Sequence, residues 1–413
     1  MIKKHLKQQI LAGVLALAMG FTTVTEVRAA EEITVTEIGG EYESAPLYDN
    51  CVLIQEGGKV GFIYRDGTEV ECKFDGLAPF VNGMARLQDN GKWGYVNKDG
   101  KIAVNGKYDN VYDFSDDMGR VQKNGKYGFV NKNGEEVVPC KYDWAEDFSD
   151  GMAVVGRNGK SGYVNKSGKE VVKCKYSRTY DFSDGMGRVE SSGSVRKTGY
   201  VDKAGKEVIK CQYSGGMDFC NGIALVGKSW DKPYVLIDKK GKEKALKRNY
   251  SSVWQFFDGI ARVIKDGKSG FINNKGKEIT SCKYDNATQF SDGMVAVERN
   301  GKWGYVNKKG KEVVKCKYDR VQAFSNGMGA VQKNGKWGYV DKNGKEVVKC
   351  KYGYVNSFSD GMGRVWINYK YGYVDKNGKE VIKCQYDDAM DFVDGTAVAR
   401  KDRRLYLLSH NTK

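Results

Sequence analysis

Cysteine, histidine and carboxylate are the side chains here that could do chemistry, and their spacing limits what they can do. The chain has ten cysteines, eight of them at one recurring phase: Cys72, Cys140, Cys174, Cys211, Cys282, Cys316, Cys350 and Cys384. Thiols can hold a metal, but structural metal sites pair them closely, as in C-x2-C, and no such pair occurs. No metal and no cofactor is expected. Within residues 314–318, strand alternation puts Val314, Cys316 and Tyr318 on one face and Lys315 and Lys317 on the other. The in-phase cysteines are therefore read as small thiols on an apolar face. The alternative is disulfides between units, which need Cα atoms within about 7 Å; sheets packed about 10 Å apart do not offer that. Cys51 and Cys220 are out of phase and are the better candidates for a pair, or else exposed thiols.

Two histidines are present, His5 and His410. His410 stands three residues from the end and is read as a solvated tail residue, so Ser-His-Asp or Cys-His catalysis and a histidine-held zinc lack their base or ligand. Carboxylates are plentiful, and glycoside hydrolysis needs only two. Yet Asp143, Asp285 and Asp319 follow a recurring tyrosine, and Asp150, Asp184, Asp292 and Asp360 precede a recurring Gly-Met. An acid repeated in most units is a turn or capping residue first, because Asp hydrogen-bonds its own local backbone. The phrase D-K-N-G-K-E is too short for a calcium loop: its glycine comes fourth, where an EF-hand has it sixth. No catalytic residue is assigned, and the protein is read as not an enzyme.

The elements that would position these groups repeat. N-G-K-W-G-Y-V-N-K-K-G at residues 300–310 returns as N-G-K-W-G-Y-V-D-K-N-G at 334–344, again at 90–100, and with Tyr for Trp at 124–134. The phenylalanine of F-S-D-G-M recurs from Phe80 to Phe392 in steps of 34, except for two steps of 37, Phe182 to Phe219 and Phe219 to Phe256. That makes ten units, with a degraded partial unit around Leu405. Asn-Gly pairs such as Asn300-Gly301 are strong hairpin signals, and a second turn follows at pairs such as Asn343-Gly344. Each unit thus reads as a three-stranded antiparallel meander, with a short fourth strand or a loop crossing to the next. One meander is too small to be stable alone, so successive units must bury one another. Ten units exceed the usual blade number of a propeller, and 34 residues is short for four strands. The expected fold is all-β, an open curved or superhelical array over residues 51–408, with a lead-in at 30–50 and a tail at 409–413. Propeller-like rings, two of five blades joined near residues 190–250, are the alternative.

The phrases W-G-Y-[VI]-[ND]-K-x-G-K, E-V-V-x-x-x-Y-D and F-x-x-G-x-A-x-V make the chain resemble the WG-repeat (KWG-repeat) family of bacterial proteins. The resemblance covers roughly residues 51–408. It implies a β-rich repeat structure, frequent in exported or surface-associated proteins, with no general catalytic activity. Only Trp93, Trp303 and Trp337 keep the family's tryptophan; Tyr127, Ser161, Thr198, Tyr234, Ser269 and Tyr371 replace it. No ligand role for that ring can be common to all units.

Residues 1–29 read as a signal peptide. Lys3, Lys4 and Lys7 precede an apolar run at 10–21, and Val27-Arg28-Ala29 supplies small residues for cleavage after Ala29. The run is well short of the roughly 20 residues that span a bilayer, so no transmembrane segment is expected after cleavage. The chain should be secreted, or held at the cell surface or envelope. Losing Lys3, Lys4, Lys7, Arg28 and Glu26 lowers the formal charge of +16 by three. A basic exported protein suits an anionic envelope polymer or a protein partner. Its lysines are spread through every unit, and no nucleic-acid-binding motif appears.

Departures from register are where specificity could reside. Residues 191–197 and 228–233 replace tight Asn-Gly turns in successive units. They carry Arg196 and Trp230, and Trp254 follows in the next connector; Trp144 and Trp366 are further single-copy aromatics. Trp and Arg are enriched where binding energy concentrates. Trp230, Arg196 and Trp254 are the candidate ligand-binding residues of a non-catalytic exported scaffold that binds a macromolecule. A two-carboxylate hydrolase and a structural spacer without ligand are the alternatives.

Overall fold

Asn300 and Gly301 both take positive φ, 53° and 69°, and join Met294–Arg299 to Lys302–Asn307 with Arg299 opposite Lys302. This is the two-residue turn whose twist matches that of paired strands. Asn307 then closes the second turn, its side-chain oxygen accepting from the N–H groups of Lys309 and Lys311. The third strand is Glu312–Tyr318. Its register shifts on both sides of Tyr305, which brings a carbonyl against the neighbouring strand. A Cβ on Gly304 would sit 2.3 Å from the Val314 oxygen. The glycine of W-G is thus a steric requirement of the bulge.

The structure is a computed structural model that describes residues 33–38, 47–48, 51–64, 69–229 and 234–410. The expected leader and Trp230 lie outside the described residues. The crossing segment supplies a fourth strand in every unit: two residues in Asn286–Ala287, six in Asn110–Ser115 and Arg178–Ser183. Eleven four-stranded antiparallel sheets form in this way among the described residues, with no helix.

The two ends of the array meet. Ile33–Ile38, from the lead-in, pairs with Arg404–His410 and completes the last sheet. Val52, Ile54 and Ile63 of the first sheet share one apolar cluster with Met390, Val398 and Leu405 of the last. The fold is a single eleven-bladed β-propeller. The open array gives way to the propeller alternative, as one ring. An open stack would leave an apolar blade face bare at each end, and closure buries both. Residues around Leu405, read as a degraded unit, become a full blade because residues 33–38 supply its missing strand.

Successive blades are held by a repeated aromatic joint. The ring of Tyr305 meets Phe324 of the next blade edge-on, with centroids 4.6 Å apart at 87°. Its hydroxyl donates to the carbonyls of Gln322 and Ala330 at 2.6 and 3.0 Å. Ser291 adds a hydrogen bond to the Phe324 carbonyl at 2.8 Å.

Candidate functional site

The periodic acids are spent on holding blades together. Asp292 sits in a turn with φ of 51° and accepts from the Gly327 N–H and from Lys342, both at 2.5 Å. Asp116 and Asp184 repeat the pattern with Gly151 and Lys166, and with Gly222 and Lys239. Burial opposes their ionisation, but these bonds outweigh it and hold all three carboxyls below the usual range. Asp319 likewise takes Lys302 and the Asn334 N–H. Asp360 of the tenth blade takes the Gly395 N–H of the last blade and lies 3.6 Å from His410 Nε2 there. His410 is therefore not a solvated tail residue: it ends a strand, and its side chain is buried against Phe392.

The in-phase cysteines, read from sequence as small thiols on an apolar face, are half-buried. Cys72, Cys140, Cys174, Cys211, Cys220, Cys282, Cys316, Cys350 and Cys384 are all free. The in-phase thiols donate weakly to a carbonyl of their own sheet, as Cys316 does to Val297 at 3.6 Å. Burial pushes Cys140, Cys211 and Cys384 up to about 11. Cys220, proposed from sequence as half of a pair, is a free thiol packed beside Leu225 and Phe256; the side chain of Cys51 lies outside the described residues.

A different pattern marks one place out. Arg120, Arg188, Arg262 and Arg364 stand at one phase of their blades. Each donates Nη1 to a main-chain carbonyl of the next blade: Ala145, Gly216, Ala287 and Ala389. Three also meet an aspartate of that next blade, Arg120 with Asp147 at 2.9 Å, Arg188 with Asp218 at 2.8 Å and Arg364 with Asp391 at 3.0 Å. Arg86 pairs with Asp113 at 2.8 Å; the Arg86 and Arg364 contacts are close but not aligned as Nε hydrogen bonds. Arg262 faces Gln289 at the aspartate's phase. Among the described residues it has no ion pair, and it turns to neutral partners: Ser269 Oγ at 2.9 and 3.1 Å and Asn286 Oδ1 at 3.2 Å. Burial holds it below the ordinary arginine value.

Next to Arg262 the aromatic joint is loosened. Phe271 and Phe290 are 5.3 Å apart, against 4.5–4.9 Å at the other such joints. Phe290 is half-buried where its counterparts are buried. The space is a cavity of about 120 Å³ walled by Trp254, Phe257, Ile260, Phe271 and Phe290, with Arg262 at its side. Trp254 and Phe257 are 47% and 41% exposed at its mouth. The Arg262 guanidinium lies 5.2 Å from the Trp254 ring. A wider hollow of about 380 Å³ adjoins it, sharing Trp254, Gln255, Phe257 and Gln289 and reaching Arg188, Met217 and Tyr234.

The family model for the WG containing repeat matches ten successive segments spanning residues 68–404. The chain belongs to that family. No curated protein matches the WG-repeat chain. Among solved structures it is similar to a eukaryotic initiation factor, at 9% identity and a TM-score of 0.43 over 88% of this chain and 98% of that one. It is also similar to the extracellular domain of a putative hybrid two-component system from B. thetaiotaomicron, at 11% identity and 0.21, over 92% of this chain and 64% of that one. A third is PorZ, a surface component of the type-IX secretion system of Porphyromonas gingivalis, at 8% and 0.22, over 94% and 74%. None of these structural likenesses is close enough to carry an argument.

The WG tryptophans are structural: Trp337 is buried, and Trp93 and Trp303 pack half-buried against joints between blades. Of the residues singled out from sequence, Trp254 lines both hollows. Arg196 is exposed in the turn between Met186–Glu190 and Thr198–Asp202. Antiparallel order puts that kind of turn at the opposite strand ends from the connectors that carry Phe257 and Gln289, and nothing joins Arg196 to Trp254. Tyr234, which follows residues 228–233, does line the wider hollow. Trp144 lies against Gly156, and Trp366 against Gly353. Arg262, Phe257, Phe271 and Gln289 escaped sequence reading. Their signal is the loss of the aspartate phase at Gln289 while the arginine phase is kept.

Proposed function

We propose that the protein is a non-catalytic scaffold, exported to the cell surface or envelope, that binds a macromolecule through the hollow between its seventh and eighth blades. The observation that carries this reading is the half-buried, acid-free Arg262 beside exposed Trp254 and Phe257. Aromatic walls with few polar groups are the usual make-up of a binding pocket. Support for a non-catalytic role comes from the cavity lining, which among the described residues carries no acid, histidine or cysteine. Asp292 and Asp319, tied to lysines and backbone amides, are turn acids already engaged in holding blades together and are not free to serve a two-carboxylate hydrolase. Support for export is the leader-like stretch at residues 1–29, and the net positive charge suits an anionic envelope polymer or a protein partner rather than nucleic acid.

The test is retention of envelope material by the chain from residue 30 onward, over a salt series, for wild type and Trp254→Ala. The reading expects retention by wild type and a clear loss in the variant, whose circular dichroism stays unchanged. Equal retention by both would move the site elsewhere, and no retention even at low salt would leave the structural spacer.

A further inference from the structure

The repeat supplies its own control for what belongs beside Arg262. In the third and fifth blades the equivalent arginine is enclosed on two sides. Tyr112 lies 3.9 Å from the Arg120 guanidinium and Tyr180 3.5 Å from that of Arg188, while Asp147 and Asp218 supply the carboxylates. In the seventh blade Trp254 takes the place of the tyrosine, and the main-chain anchor at Ala287 is kept at 2.5 Å. The carboxylate alone is missing, and a cavity opens beside it. At two further joints both partners are lost, Ala330 standing at the arginine phase opposite Ser357 and Ala296 opposite Ala323, and at another Val154 leaves Asp181 without its arginine. Arg262 keeps its charge at a site where burial opposes that charge.

We infer that the cavity beside Arg262 takes the free C-terminal carboxylate of a peptide or protein whose last side chain is apolar. This rests on the binding reading above and names its ligand. A chain terminus joins the two groups the site asks for, since one residue carries both a carboxylate and a side chain. The carboxylate restores the ion pair that aspartate makes in the other blades, and arginine binds carboxylates with aligned, charge-assisted bonds. The side chain enters the aromatic cavity. Its volume of about 120 Å³ is a little below the roughly 150 Å³ that admits benzene in an engineered apolar cavity, so it takes one Leu-sized group whole, or a phenyl ring whose edge stays in the mouth between Trp254 and Phe257. The adjoining hollow of about 380 Å³ opens from the same residues and gives the preceding residues a path out. A free aromatic acid would satisfy Arg262 and the cavity, but would leave that hollow unused.

The experiment is calorimetric titration of the chain from residue 30 onward with an acetylated pentapeptide ending in phenylalanine. The peptide is used as the free acid and as the amide, and 3-phenylpropanoate serves as the small-acid arm. The inference expects the free acid to bind and the amide to bind at least about tenfold more weakly, the loss of a charged hydrogen bond. It expects the small acid to bind more weakly than the peptide. Gln289→Asp supplies the carboxylate from within, and should abolish peptide binding in a protein that stays folded by circular dichroism and thermal melting. Equal binding of acid and amide, or undiminished binding to Gln289→Asp, overturns the inference. Binding of 3-phenylpropanoate as tight as the peptide overturns the peptide assignment. If the peptide fails while wild type still retains envelope material through Trp254, this inference alone falls; if the peptide binds and envelope retention is absent, the envelope reading falls instead.

Discussion

Arg120 and Arg262 stand at the same position of the third and seventh blades, and each donates to a carbonyl of the next blade at 2.5 Å. Around Arg120 the joint is finished: Asp147 pairs with it, Tyr112 covers it, and Phe129 and Phe148 meet at 4.8 Å. Around Arg262 there is glutamine for aspartate, exposed Trp254 for the tyrosine, and Phe271 and Phe290 at 5.3 Å. Specificity in this propeller is therefore placed at the joint whose ion pair and aromatic packing are incomplete. Ten joints of a closed ring can carry stability, which frees one to be left incomplete.

The sharpest way to break the comparison is to truncate the same aromatic in both joints. Phe148→Ala should cost about 3–5 kcal/mol, as for a large side chain removed from a packed core. Phe290→Ala, half-buried beside a cavity, should cost clearly less, on the order of 1–2 kcal/mol. Equal losses in denaturant melts would mean that the two joints are packed alike.

A smaller effect separates the polar partners. Asp147→Ala leaves the Arg120 guanidinium unpaired beside apolar neighbours and should cost about 1–2 kcal/mol. Gln289→Ala removes an exposed side chain and should change stability by less than about 0.5 kcal/mol. The same measurement checks both, and a larger loss at Gln289 would make it a structural partner of Arg262.

Asp181 sharpens the rule from the opposite side. It keeps the aspartate phase, but Val154 stands where its arginine would be. Partial desolvation, then repulsion by Glu146, Asp218 and Asp147, raise its carboxyl above the ordinary 3.8, although the side chain reaches solvent. A raised folded-state pKa means the native protein holds that proton more tightly than the unfolded chain, so this group lowers stability as pH rises through the window above 3.8. Asp181→Asn should therefore stabilise at neutral pH, with the gain vanishing below that window. The clamps of Asp116, Asp184 and Asp292 have lowered values and act with the opposite sign, since their stabilisation is present above 3.8 and lost as pH falls through their folded-state values. Thermal melts from pH 3 to 7 on wild type and Asp181→Asn would separate the two; a gain that persists at pH 3 contradicts the assignment.

The weakest effect expected is at the thiols. With Cys140, Cys211 and Cys384 up at about 11, almost none is thiolate at neutral pH. Labelling of the folded chain by iodoacetamide at pH 7 should be slow next to the unfolded chain. Rapid labelling would mean that the blades open locally.

Much of the blade was legible in the chain itself. Asn-Gly turns, strand alternation and the period all fix local geometry, so three strands per unit followed directly. The fourth was harder, because two residues such as Asn286–Ala287 carry no alternation to read. Closure was not legible, since it depends on residues 33–38 pairing with 404–410 across the whole chain, and no local pattern in that strand names its partner. At the candidate site, Trp254 stood out as a single-copy aromatic. Arg262 did not, because an arginine at its phase is ordinary in this repeat and becomes informative only when the next blade's aspartate is seen to be missing.

The most direct test of an incomplete joint is the melting temperature of Gln289→Asp. The account predicts a rise of about 1–3 °C at pH 7, as a carboxylate completes the pair with Arg262, and loss of that rise near pH 3 as the new acid is protonated. A melting temperature that is unchanged or lower at pH 7 would show that Arg262 wants no carboxylate, and the account would fail there.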